Sequence, residues 1–152
     1  LKVWTNQGTI IVNLKSEGLE KDCIKLMAKY KIKNWFFLDM SMPYFVKFSD
    51  YAKNRKLSNF SPENLAVRFS DKEPIDYALA FSKKARWVWV DHFDKFPLNQ
   101  NTCSKLLRAE FNICLVSPEL QAQSNIKIDE IKSKCRELNI QAVCTKLPEM
   151  WS

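Results

Sequence analysis

Six short apolar runs recur along the chain, rich in Val, Ile, Phe or Trp: TIIVNL at 9–14, WFFL at 35–38, LAVRF at 65–69, WVWV at 87–90, ICLV at 113–116 and IQAVC at 140–144. They are too short for helices, and their composition predicts β-strands. Between them, residues 18–31, about 43–54, 74–84, 101–109 and 128–138 carry helical character. Strand and helix therefore alternate without a break. A parallel neighbour has to be reached by a crossover, which a helix usually supplies, so the alternation predicts an α/β fold with a parallel sheet. The nearly continuous apolarity of the strands agrees, because both of their faces would be covered. Helix starts are expected at Ser41 before Pro43, at Asp71 and Glu73 around Pro74, and at Asn101 or Thr102. No linker or low-complexity tract interrupts the pattern, which predicts one domain over residues 1–152.

Six units suit an open doubly wound sheet or part of an eight-stranded barrel. The strand ends separate the two. At successive carboxyl ends stand Lys15, Asp39, Arg68 with Ser70, Asp91 with His92, Ser117 with Glu119, and Thr145 with Lys146. In an open sheet only the tips at the switch point need be polar, whereas in a barrel every tip faces one mouth, so polar residues at all six favour a (β/α)8 TIM-type barrel. Taken singly, each tip also reads as a cap or turn residue. Lys15 and Arg68 are not turn formers, and the apolar runs reach them directly.

Composition removes several function classes. With only Gly8 and Gly18 in 152 residues, neither a phosphate loop nor a dinucleotide fingerprint can be drawn. No apolar run is long enough to span a membrane, and the first twenty residues do not follow a signal-peptide pattern. The five cysteines are odd in number and hold no C-x-x-C pair, which signals neither zinc nor a disulfide framework and points to a reducing, cytoplasmic compartment. The net charge of +7 suits phosphates, anionic lipid heads or nucleic acid without choosing among them. Lysines concentrate at 21–33 with the spacing of a solvated helix face. No nucleic-acid module signature is present, so a nucleic-acid partner is not expected.

The phrases IVNLKSEGL at 11–19, FFLDMSMP at 36–43, VRFSDKE at 67–73, WVDHF at 89–93, ICLVSPEL at 113–120 and VCTKLP at 143–148 resemble the glycerophosphodiester phosphodiesterase branch of the phosphatidylinositol phospholipase C-like phosphodiesterases. More narrowly, they are similar to an uncharacterised bacterial subgroup of it. The resemblance implies a (β/α)8 barrel that the six units fill from its third strand onward, with the first two units lying upstream of Leu1 or absent. It implies metal-assisted hydrolysis of a glycerol or sugar phosphodiester, with magnesium or calcium as cofactor. The alternative is a catalytically inactive barrel that binds a phosphorylated ligand or a protein partner.

On that resemblance Lys15 and Asp39 take catalytic positions, Lys15 stabilising charge on a phosphoryl oxygen and Asp39 orienting it or meeting a hydroxyl. The family's metal-binding glutamate falls at Asn13, whose amide oxygen lacks the charge that favours a hard cation. Ser41, Arg68, Asp91 and Glu119 are the implied substrate-binding residues, Arg68 because a guanidinium can hold two phosphate oxygens. Lys15 could instead pair with Asp39, and Arg68 with Asp39 or Glu73. His92 is the single histidine, but neighbouring strand residues point to opposite faces, so His92 faces away from the mouth if Asp91 faces it. The implied family histidine motif is not matched, and Lys146 stands where an acidic residue often follows the threonine. Open barrel edges further predict a homodimer that covers the gap.

Overall fold

Each apolar run of the sequence forms a strand and each intervening segment a helix in the computed structural model, which describes residues 1, 4 and 7–152. In chain order these are β1 (Ile10–Asn13), α1 (Glu20–Lys29), β2 (Trp35–Leu38), α2 (Met42–Lys53), β3 (Ala66–Phe69), α3 (Ile75–Leu79), β4 (Trp87–Val90), α4 (Gln100–Arg108), β5 (Asn112–Val116), α5 (Lys127–Glu137) and β6 (Ala142–Cys144). The class is α/β with two parallel sheets, one pairing β1 with β2 and the other running in the order β3, β4, β5, β6. The chain packs into two compact units, Leu1–Val67 with Lys83–Trp87, and Arg68–Ser82 with Val88–Ser152.

In the first unit Ile10, Ile11, Val12 and Asn13 stand beside Trp35, Phe36, Phe37 and Leu38. Leu14 continues the ladder, its N–H donating to the Leu38 carbonyl at 3.0 Å. All four residues of β2 are buried, as expected for a strand covered on both faces. Trp35 and Phe37, two apart and so on one face, meet edge to face at 5.0 Å, and Phe60 and Phe48 extend this aromatic cluster, meeting each other at 5.9 Å. On the opposite face Phe36 stacks on Trp87 at 5.1 Å. Such ring pairs add about 0.5–1.5 kcal/mol each beyond the area they bury. Through Phe60, which meets both Phe48 and the rings of Trp35 and Phe37, the cluster holds α2 and the turn after it against β2.

In the second unit Cys114, Leu115 and Val116 stand beside Ala142, Val143 and Cys144. The core is Val88, Val90, Leu106, Ile113, Leu115 and Ile128, all fully buried. The sixth strand begins at Ala142 rather than at 140, because the Gln141 side-chain oxygen, not a backbone carbonyl, accepts the Ile113 N–H at 2.7 Å.

Three helix ends differ from their sequence signals. Helix α4 is capped by Asn99, which accepts from the Thr102 N–H at 2.9 Å, so Thr102 is the reciprocal partner rather than the cap. Helix α3 stops at Leu79, short of the expected 84, and Lys83 in the turn that follows adopts φ 63°. Asp71 does not cap α3; its carboxylate gathers the N–H groups of Phe93, Asp94 and Lys95 at 2.7, 3.0 and 3.3 Å.

Candidate functional site

The carboxyl ends of β1 and β2 form a small polar pocket in the first unit. Register decides its contents: Asn13 pairs with Leu38, so the residues just beyond, Lys15 and Asp39, fall within reach of one another. Lys15 Nζ lies 3.2 Å from Asp39 Oδ2, with the lysine side chain 74% exposed and the aspartate 24%. Asp39 adopts φ 58°, a left-handed conformation that Asp tolerates better than most residues. The same residue thus turns the chain out of β2 and presents the carboxylate to Lys15. Ser41, the residue before α2, donates its hydroxyl to Glu17, and its oxygen accepts no helix N–H. The cavity, about 250 Å³, is lined by Lys15, Ser16, Glu17, Glu20, Asp39 and Ser41, among others.

Glu17 and Glu20 carried no functional signal in the sequence. Glu20 opens α1, is only 2% exposed, and accepts the Gly18 N–H at 2.9 Å. Gly18 turns with φ 91°, a conformation glycine takes without strain. The fragment SEGLE offered that turn glycine as the one clue that two carboxylates fold back toward the strand ends.

The second unit repeats the pairing of a cation with an aspartate one strand on. Arg68 Nη2 lies 2.9 Å from Asp91 Oδ2. The other Asp91 oxygen accepts from Trp89 Nε1 at 3.1 Å and Gln121 Nε2 at 3.0 Å. This buried carboxylate is therefore held by three donors, the condition under which a buried charge is tolerated. Glu73 accepts the Ser70 hydroxyl at 2.7 Å.

At the ends of β5 and β6, Glu119 accepts from the Ser117 hydroxyl, from Thr145 Oγ1 at 2.6 Å and from the Lys146 N–H at 2.9 Å. Burial raises its pKa, but these donors outweigh that and hold it below the ordinary glutamate range. Trp151 Nε1 closes the group by donating to Ser117 Oγ at 3.0 Å.

His92 follows Asp91 at the end of β4, with its ring turned inward. It is 3% exposed, and its Nε2 lies 2.7 Å from the Val116 carbonyl. A carbonyl can only accept, so Nε2 carries the proton and Nδ1 faces the Gln123 amide nitrogen at 3.4 Å. Burial lowers the pKa of the ring below its ordinary value, against the raising effects of the Val116 carbonyl and Asp91. The imidazole is a neutral clasp between strands.

Asn13, the implied metal ligand, is exposed at the end of β1. Among the described residues no three His, Cys, Asp or Glu side chains converge on a cation position. Of the pocket's carboxylates, Asp39 pairs with Lys15, Glu17 accepts from Ser41 and Glu20 accepts the Gly18 N–H. All five cysteines are free thiols. Among the described residues no helix is long and apolar enough to cross a membrane.

No protein-family model matches the chain, and no curated protein matches it.

Proposed function

We propose that this chain is a phosphodiesterase-type barrel segment that binds a glycerol or sugar phosphodiester at its strand ends, with Lys15 the phosphoryl contact in the first unit and, separately, Arg68 the phosphoryl contact in the second. One observation carries the reading: a cation and an aspartate are paired at the carboxyl ends of consecutive parallel strands twice over, Lys15 with Asp39 and Arg68 with Asp91. In α/β folds the carboxyl ends of strands are where ligands gather. A cation oriented by a carboxylate is preorganised for an incoming phosphoryl group. Asp39 and Ser41 then meet ligand hydroxyls in the first unit, while Asp91 anchors Arg68 and Glu119 fixes the last two strand ends.

Recognition is better supported than hydrolysis. His92 is buried and neutral, Asp91 is saturated with donors, and Glu119 is held by three. A homodimer that covers the terminal strands β1 and β6 belongs to the same reading; a strict monomer in sedimentation would contradict that part.

The test is a panel of glycerophosphodiesters and glycerol 3-phosphate, offered with magnesium, calcium or chelator, followed by calorimetry for binding and phosphorus NMR for turnover. Binding without turnover, weakened by Lys15→Ala and by Arg68→Ala, is the expected result. Metal-dependent turnover would move the reading to the hydrolase. Neither binding nor turnover in a folded protein would end both.

A further inference from the structure

The positive charge of this protein is unevenly distributed. Residues 19–56 hold nine Lys and Arg against four Asp and Glu, whereas residues 57–152 hold thirteen against twelve. All nine cations of the first segment are exposed. Of its four acids, Glu20 is buried and Asp39 is engaged by Lys15, which leaves Asp22 and Asp50 on the surface.

Most of these cations lie on or beside two neighbouring helices of one unit. Lys21 Nζ of α1 stands 5.9 Å from the ring centre of Tyr51 of α2, and Lys56 Nζ stands 5.5 Å from the same ring. Lys47 Nζ lies 5.2 Å from the Tyr44 ring. The inner faces of the helices bury Ile24 and Met27, and Phe45 and Phe48. Their outer sides carry more than charge: Leu26 is 44% exposed and Val46 54%.

Isolated exposed apolar residues are common on any protein. Here they coincide with the charge excess and with tyrosines under lysine ammonium groups. That conjunction suits a lipid interface, where basic residues meet anionic headgroups, aliphatic side chains enter the acyl boundary and amphipathic rings lie at headgroup level. Lysine stems add to the buried apolar surface while their ammonium groups stay wet. A nucleic acid would use the same cations but gain nothing from Leu26 or Val46.

We infer that the outer side of α1 and α2 docks peripherally on an anionic lipid surface, with Lys21, Lys25, Lys47 and Lys53 meeting headgroups and Leu26 and Val46 entering the interface. This surface is independent of the strand-end pocket and of the phosphodiester reading.

The experiment is co-sedimentation of the full chain with phosphatidylcholine vesicles, plain or containing phosphatidylglycerol, at moderate salt. Binding is expected only to the anionic vesicles. Reversal of Lys21, Lys25, Lys47 and Lys53 to Glu should weaken it by more than about tenfold. The double substitution Leu26→Ser with Val46→Ser should weaken it several-fold, and circular dichroism checks that both variants are folded. Glycerol 3-phosphate binding should survive in both, which separates this surface from the pocket. Equal binding to neutral vesicles, no binding to anionic ones, or indifference to either set of substitutions would overturn the inference. So would tighter binding to duplex DNA that ignores the loss of Leu26 and Val46.

Discussion

Arg68 and Asp91 are joined at 2.9 Å across neighbouring strands, and the aspartate is the more deeply buried partner, with 9% of its side chain exposed against 40% for the arginine. The burial difference assigns their roles. Asp91 is the fixed anchor, and Arg68 is the partner whose side chain reaches solvent.

Asp91→Ala should therefore be costly. It leaves Trp89 Nε1 and Gln121 Nε2 without this acceptor and removes the carboxylate that Arg68 meets at 2.9 Å. Unmet buried donors of this kind cost about 1–3 kcal/mol. Urea unfolding should show a lower midpoint at unchanged slope. Asp91→Asn keeps one acceptor and should lose less.

Acidification should destabilise the protein in a step that belongs to His92. Its folded-state pKa lies below the ordinary value of 6.5, so as pH falls through 6.5 the unfolded chain takes up a proton that the folded chain refuses. Stability present above that pH is then lost toward the depressed folded value. Asp91 and Asp71 oppose the depression and Lys127 adds to it. His92→Asn should flatten the pH profile of the unfolding free energy in this window. The carboxylates Asp71 and Glu119, also shifted downward, contribute a separate loss at lower pH.

The aromatic cluster of the first unit should bear much of its stability. Phe48 is 2% exposed and touches the rings of Tyr44, Tyr51 and Phe60. Phe48→Ala should cost about 3–5 kcal/mol, read as a fall in thermal midpoint. Val46→Ser, two residues away and exposed, should cost little.

The strands were legible because burial on both faces leaves few polar positions, so WFFL and WVWV announce themselves in sequence. The parallel order followed from the alternation with helices. The partners of the polar tips were less legible. Trp89 and Asp91 are only two apart, but Gln121 reaches Asp91 across 30 residues and Trp151 reaches Ser117 across 34. Pairings of that range leave no periodic trace. Asn99 is hard to single out as the cap of α4 because Asn101 and Thr102, standing close behind it, carry the same signal. Glu20 reads as an ordinary acid at a helix start, yet it is buried and accepts the Gly18 N–H.

Lys15 offers the most direct test of phosphoryl binding, because its side chain is mostly exposed and its ion pair with Asp39 contributes under about 1 kcal/mol to folding. Calorimetric titration with glycerol 3-phosphate should give measurable binding in the parent protein. Lys15→Ala should weaken it by about tenfold or more with little change in thermal midpoint. Unchanged affinity in a folded Lys15→Ala protein would contradict a phosphoryl site at the ends of β1 and β2.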